Sequence, residues 1–341
     1  RKWYGRAMAT SQVLMSVGCH LSSLYVQLGW KRWDGLVTEV VVWKNDGPVL
    51  KTVVNTILGE TWEEETGAKL GADSLAERAE FYPAGEVPTG ASILCAGVDV
   101  QDNRVEVGLY AYGKDEECWL ISHTAIYGDP AGQKLWDQVD DVVLRDYPHA
   151  DGGRLKVAAI GVDSGGHYTS EVYAYARTRK AKGVFALKGQ SVRNKPPIGK
   201  PSKVDINYKG QVLKNSAEVF PVGSDTIKST LFGRLKHNEP GAGYIHFHAE
   251  AGQDYFKQLT SERQVIRYVK GFAIREWKKK AGDRNEALDC FCYSYAALHY
   301  LYMRFNRNTI FEQFERARAQ PKNQKQPTDA TPDKPIDSPY R

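Results

Sequence analysis

The stretch from residue 93 to residue 126 constrains this chain more than any other. Three runs rich in Val, Ile, Leu, Tyr and Trp, at 93–100, 104–112 and 117–126, are separated only by the polar turns "QDN" and "GKDEE". Connections this short make neighbouring strands run antiparallel, so three consecutive antiparallel strands are predicted. A helical pattern follows in "DPAGQKLWDQVDDVVLRDY", then an apolar strand at 155–162, a helix at 167–181 and a strand at 183–188. Alternating strands and helices read as βαβ units with parallel strands. The predicted class is therefore α/β, a mixed sheet of three antiparallel strands plus a βαβ region, with flanking helices.

Within that frame one residue is out of place. Asp99 sits inside the apolar run Ile93–Val100, in "ILCAGVDVQDNRVEV". A buried ionised carboxylate is costly unless it is paired, neutralised by a cation or set at an exposed strand end. The pattern recurs in "VAAIGVDSGGH", where an apolar strand ends in Asp163 and a Gly-rich turn leads into a helix. Sites in sheets with βαβ connections lie at the carboxyl ends of strands. A third acid, Asp289 in "RNEALDC", lies on a helix of mostly apolar and aromatic residues, with Glu286 and Asn285 three and four positions before it on the same face.

None of the three has a Lys or Arg at an adjacent position, so together they would repel. Hard divalent cations resolve such repulsion, and oxygen ligands suit Mg²⁺ or Mn²⁺. Two ions held about 3.5–4 Å apart can activate water and stabilise the leaving oxygen of a phosphodiester. Taken singly, each acid reads equally as a strand-end cap, a helix N-cap or an ion-pair partner. The three together favour metal.

At these residues the chain resembles the large subunit of tailed-phage DNA-packaging terminases, in the branch typified by the phage lambda large subunit. The resemblance runs in order through "LGWKRWDGLV", "VVNTILGETWEE", "AGVDVQDNRVEV", "VDSGGH", "ALKGQSV", "GSDTIKSTLFGRL" and "RNEALDCFCYSYAAL". It implies an RNase H-like nuclease whose acidic metal ligands fall on Asp99, Asp163 and Asp289. It also implies cleavage of concatemeric double-stranded DNA in the host cytoplasm, by a viral protein that is not a stable virion component. The implied partners are DNA, a small terminase subunit, the portal protein and the ATPase half of the large subunit. No G-x-x-x-x-G-K-[ST] is present, and "GSDTIKST" lacks its second glycine and Gly-Lys pair, so translocation is not expected of this chain. The alternatives are another RNase H-like phosphoryl-transfer enzyme of resolvase or integrase type, and a non-catalytic module that docks the packaging motor.

Three divisions are expected. Residues 1–90 read as a helical linker at the end of the motor region. Trp33, Leu36, Val37, Val40, Val41 and Trp43 share one helical face, and a second helix runs from Pro48 to about Gly59. The Pro- and Gly-bearing "FYPAGEVPTGAS" (81–92) marks the boundary to a nuclease domain at 91–305. That domain contains a basic hairpin or loop at 189–221, a helix at 224–235, a short strand at 244–248 and a last helix at 284–305. Residues 306–341 form an extension, disordered from about 319, where almost no apolar residue offsets ordering entropy.

Net charge is +5 over 341 residues, with 42% hydrophobic and 26% charged residues, which permits but does not demand a polyanionic partner. Five cysteines, at 19, 95, 118, 290 and 292, show no disulfide-framework spacing and fit a reducing compartment. The opening "RKWYGRAMATSQ" lacks a signal peptide's apolar centre, and no run is long enough for a membrane span, so an intracellular, membrane-free protein is expected. Starting on Arg1 reads as a fragment or a processed chain.

Lys188, Arg193 and Lys195, with Lys200 and Lys203, are candidates for DNA phosphate beside the acids, as is Arg284, with Lys278, Lys279 and Lys280 nearby. His167, after "DSGG", could touch substrate, or could simply end a helix in solvent. His246 and His248 in "YIHFH" read as structural, as do Cys290 and Cys292.

Overall fold

The structure, a computed structural model, describes residues 6–10, 17–20, 64–65, 71–190, 192–208, 211–269 and 272–319. The helices expected around Trp33–Trp43 and Pro48–Gly59, and the tail after 319, lie outside the described residues. Where the early chain is described it is extended. β1 (Arg6–Thr10) and β2 (Val17–His20) pair antiparallel, and β3 (Glu64–Glu65) joins a hairpin further along. At these residues the helical and loop-like reading gives way to strands, whose hydrogen bonds are made to a neighbouring strand.

Residues 71–90 begin with the short helix α1 (Ala72–Ala76). They were expected as linker, yet Leu75 and Val87 are fully buried and Tyr82 Oη donates to the Leu120 carbonyl at 2.9 Å. The segment therefore packs as part of the body. β4 (Ala91–Val100), β5 (Arg104–Gly113) and β6 (Cys118–Tyr127) form the antiparallel meander. α2 (Gln133–Val143) and the short β7 (Asp146–Pro148) lead to β8 (Arg154–Asp163), which lies parallel to β4 on the side away from β5. α3 (Thr169–Arg179) then crosses to β9 (Val184–Gln190), parallel to β8.

The order β9-β8-β4-β5-β6 is the RNase H-like arrangement. The basic stretch after β9 folds as a hairpin, β10 (Ser202–Tyr208) and β11 (Gln211–Gly223), whose second strand continues the sheet parallel to β9. α4 (Ser224–Arg234) follows, then β12 (Ile245–His246), which closes the far edge beside β6. α5 (Gly252–Leu259) precedes the hairpin β13 (Glu262–Val269) and β14 (Phe272–Lys279), and the chain continues into α6 (Glu286–Tyr302) and α7 (Ile310–Ala319). α7 was not anticipated in the extension. Its apolar residues are few, but Ile310 is fully buried and Phe311 and Phe314 pack on the core. No helix among the described residues is long and apolar enough to cross a membrane.

The sheet has a core on each side. α2 and α3 cover one face through Trp136, Val139, Val172 and Tyr175. α6 covers the other, with Phe291 stacked on Tyr110 at 4.2 Å between ring centroids. α6 comes unusually close because Gly97, Gly108 and Gly161 form one row across β5, β4 and β8. A Cβ on Gly97 would overlap the Cys290 carbonyl, and one on Gly108 would sit 2.9 Å from the Cys290 Cβ. A Cβ on Gly161 would lie 3.1 Å from the Tyr293 carbonyl oxygen. Side chains two apart on a strand share a face. Asp99, Asp163 and Glu106, each two residues from one of these glycines, are thereby aimed at the start of α6.

Candidate active site

β4, β8 and α6 each deliver one aspartate to an open depression of about 440 Å³, lined by Asp99, Asp163 and Asp289 together with Gln101, His167 and Tyr293. The three acids singled out in the sequence are brought together. A larger cleft of about 700 Å³ opens between α4, α5 and the β13–β14 hairpin, but none of the three lines it. The carboxylates converge in the smaller site.

Asp99 is 4% exposed and accepts one hydrogen bond, from Gln101 Nε2 at 2.6 Å. Burial pushes its carboxyl well above the usual carboxylate range, and the charges of Asp289 and Asp163 add to that rise, which the Gln101 bond only partly opposes. Burial also raises Asp163, opposed by the Gly165 amide at 3.2 Å, by Tyr293 and by the charge of Lys188. Asp289 is pushed up to about 6, first by burial, with Lys228 working against the rise and Glu262 and Asp163 adding to it.

Among the described residues the three aspartates have one ion-pair partner, and the sequence reading missed it. Lys228, on α4, places Nζ 3.3 Å from Asp289 Oδ1 and 2.7 Å from Glu262 Oε1. The expectation that the acids stand without a cation is thus corrected for Asp289: a residue 61 positions away in sequence is adjacent only because α4 packs on α6. Asn285 completes the surround, donating Nδ2 to Asp289 Oδ2 at 2.7 Å and to Glu262 Oε1 at 2.8 Å.

Other expectations fared unevenly. Glu286 does not support Asp289 directly, because its carboxylate binds Arg104 at 2.7 Å and Arg284 at 3.2 Å. Arg284, expected to meet DNA phosphate, is instead committed to Glu106 at 2.5 Å and to Glu286, two acids that the sheet and α6 set beside it. Lys188 is exposed on β9 and close enough to favour the ionised form of Asp163. Arg193 and Lys195 lie in the loop after β9, outside the lining of the depression. His167 stands at the rim, 85% exposed, with Nδ1 2.8 Å from Asp102 Oδ1. His246 is structural: it is held between Glu80 at 2.7 Å and Glu117 at 2.9 Å and stacks on Trp119. Cys290 and Cys292 are buried free thiols.

Gln101, Tyr293, Lys228 and Glu262 were not anticipated. Tyr293 had a signal in the sequence, one helical turn after Asp289 on the same face. Gln101 had one too, two residues beyond Asp99 at the start of the turn that ends β4.

Among the described residues no group of three or more His, Cys, Asp or Glu side chains is arranged so that it could hold a metal ion as it stands. The aspartates share an open depression instead, and each faces charges of its own sign. An all-carboxylate donor set of this kind suits hard divalent cations whose remaining ligands are water and phosphate oxygens.

Comparison with known proteins gives the family. The family model for the endonuclease domain of the terminase large subunit gpA matches residues 16–310. The terminase large subunit of Escherichia phage lambda is 33% identical over 305 residues, covering 87% of this chain and 45% of that protein. That of Enterobacteria phage P21 is 34% identical over 274 residues, covering 78% and 41%. The chain thus spans less than half the length of these two relatives. The crystal structure of the HK97 bacteriophage large terminase matches 80% of this chain and 52% of its own at 10% identity, with a TM-score of 0.36.

Proposed function

Because the chain belongs to the family of the gpA endonuclease domain of the terminase large subunit, we propose that it cuts concatemeric double-stranded phage DNA during packaging by metal-dependent phosphodiester hydrolysis. The observation that carries this reading is the shared depression in which Asp99, Asp163 and Asp289 converge, each raised first by burial, Asp99 further by the charges of Asp289 and Asp163, and Asp289 by those of Glu262 and Asp163. Structural carboxylates are compensated; Asp99 and Asp163, at the ends of β4 and β8, have no ion-pair partner among the described residues, and Asp289, on α6, has Lys228 alone.

Asp99, Asp163 and Asp289 would hold two Mg²⁺ or Mn²⁺ ions. Such ions supply Lewis-acid stabilisation of charge on a phosphodiester and a nucleophile at neutral pH. The protein's own contribution is orientation. Gln101 fixes one oxygen of Asp99, Gly165 and Tyr293 steady Asp163, and Asn285 and Lys228 hold Asp289. Lys188, on β9 near Asp163, with Arg193 and Lys195 in the loop that follows β9, would meet the phosphate backbone, contacts that position DNA without reading its sequence. Site choice would then come from a small terminase subunit, motive force from the ATPase half of the large subunit, and docking from the portal. The reaction would take place in the host cytoplasm.

A plasmid-nicking assay in Mg²⁺ or Mn²⁺ tests the reading. The wild-type chain is expected to nick duplex DNA, EDTA to stop it and Asp99→Ala to abolish it. Nicking by Asp99→Ala at the wild-type rate would sink the assignment.

A further inference from the structure

The three aspartates are unequally attended. Asp99 receives a single amide hydrogen bond, whereas both oxygens of Asp289 are occupied, Oδ1 by Lys228 and Oδ2 by Asn285. Lys228 is in turn tethered by Glu262, and the three side chains are only 12%, 7% and 24% exposed for Lys228, Glu262 and Asp289. The Lys228 ammonium is therefore seated on one of the three acids while the other two have no ion-pair partner among the described residues.

We propose that Lys228, tethered by Glu262, is a positioning residue that occupies the Asp289 side of the site in the absence of DNA, so that the free enzyme takes one divalent ion at Asp99 and Asp163 and resists the second. This rests on the metal-dependent reading above. The physical reason is like-charge repulsion: a cation entering at Asp289 meets the ammonium a few ångströms away in a partly desolvated site. Phosphate arriving with substrate would add the negative charge that offsets it, which couples assembly of the complete metal site to DNA. Without Lys228, Glu262 and Asp289 become two adjacent carboxylates bridged only by Asn285, a better cation site than the native one.

Calorimetric titration of the chain with Mn²⁺ alone, without DNA, tests this. Wild type is expected to bind one ion. Lys228→Met is expected to bind a second, or to bind Mn²⁺ about tenfold more tightly, the scale set by removing one unit charge several ångströms away. Glu262→Gln should move the other way, weakening Mn²⁺ binding, because Lys228 then rests on Asp289 alone. Lys228→Arg should stay near wild type. A merely structural ion pair would lower the metal-free Tm of both neutralised variants without shifting their Mn²⁺ affinities in opposite directions. Equal affinity and stoichiometry in wild type and Lys228→Met would overturn the inference while leaving the metal-dependent reading intact, and so would weaker binding by Lys228→Met. If Lys228→Met does not fold, unchanged binding by Glu262→Gln overturns it in the same way. Absence of Mn²⁺ binding by every chain, wild type included, would overturn both.

Discussion

Asp99 and Glu106 face each other across β4 and β5 as register partners, and both are buried on the α6 side of the sheet. Their surroundings could hardly differ more. Glu106 is met by Arg104 at 2.7 Å, Arg284 at 2.5 Å and His123 at 3.3 Å. Burial works to raise its carboxyl, but these partners outweigh it and hold the group down to about 2. Asp99, one strand away, has an amide and two like charges, and is raised. Glu116 repeats the Glu106 arrangement at the other end of α6. Arg234 and Arg307 each bind it at 2.5 Å, Tyr295 and Tyr302 donate to it, and it is likewise held down to about 2. Burial of an acid thus says little about function in this protein. What separates Glu106 and Glu116 from Asp99 and Asp163 is whether the fold sets an Arg against the carboxylate.

The largest expected effect tests the frame. Glu106→Gln leaves Arg104, Arg284 and His123 around a neutral group and should destabilise the protein by about 3 kcal/mol, the scale of breaking a buried ion pair by removing one partner. Asp99→Asn, at the register-paired position, should leave stability unchanged or raise it, since it removes a repelling charge. Chemical denaturation of the two variants beside wild type decides the matter. Equal losses would erase the distinction drawn between them.

pH dependence sharpens the same contrast, with opposite signs. Glu106 has a depressed value, so its contribution is present above its ordinary 4.5 and is lost as pH falls toward 2. Asp99 and Asp289 have raised values, so the folded state keeps protons that the unfolded chain releases near 3.8. Their contribution is present at low pH and is lost as pH climbs through those raised values, about 6 for Asp289. In metal-free buffer, wild type should therefore lose stability relative to Asp99→Asn as pH climbs from about 4. Urea midpoints measured over that climb check it; parallel pH profiles would show that Asp99 is compensated after all.

The smallest effect lies at the rim. His167 and Asp102 are 85% and 76% exposed, and exposed pairs contribute little to stability. His167→Ala should leave the melting temperature unchanged and lower the nicking rate by less than about tenfold, as befits a group that does not hold metal. A large drop in melting temperature would place His167 in the frame instead.

Much of this was open to sequence reasoning because it rests on local chemistry. Short polar turns made β4, β5 and β6 antiparallel, strand–helix alternation made β8 and β9 parallel, and an aspartate at the end of an apolar strand marked Asp99 and Asp163 as exceptions. Asp289 and its neighbour Asn285 followed from helical spacing. The rest was decided by packing between distant segments. Lys228 and Glu262 reach Asp289 from α4 and β13, and no local pattern links "GSDTIKST" to "RNEALDC". Arg284 looked free because Glu106, its partner, lies 178 residues earlier. The strand glycines at 97, 108 and 161 carry no chemistry of their own, so only the docked helix shows that they let α6 down onto the sheet. Sequence alone determined which acids are anomalous, because a buried charge contradicts its local environment. Only the tertiary structure decided which of them are compensated, because compensation depends on side chains brought within about 4 Å by the fold.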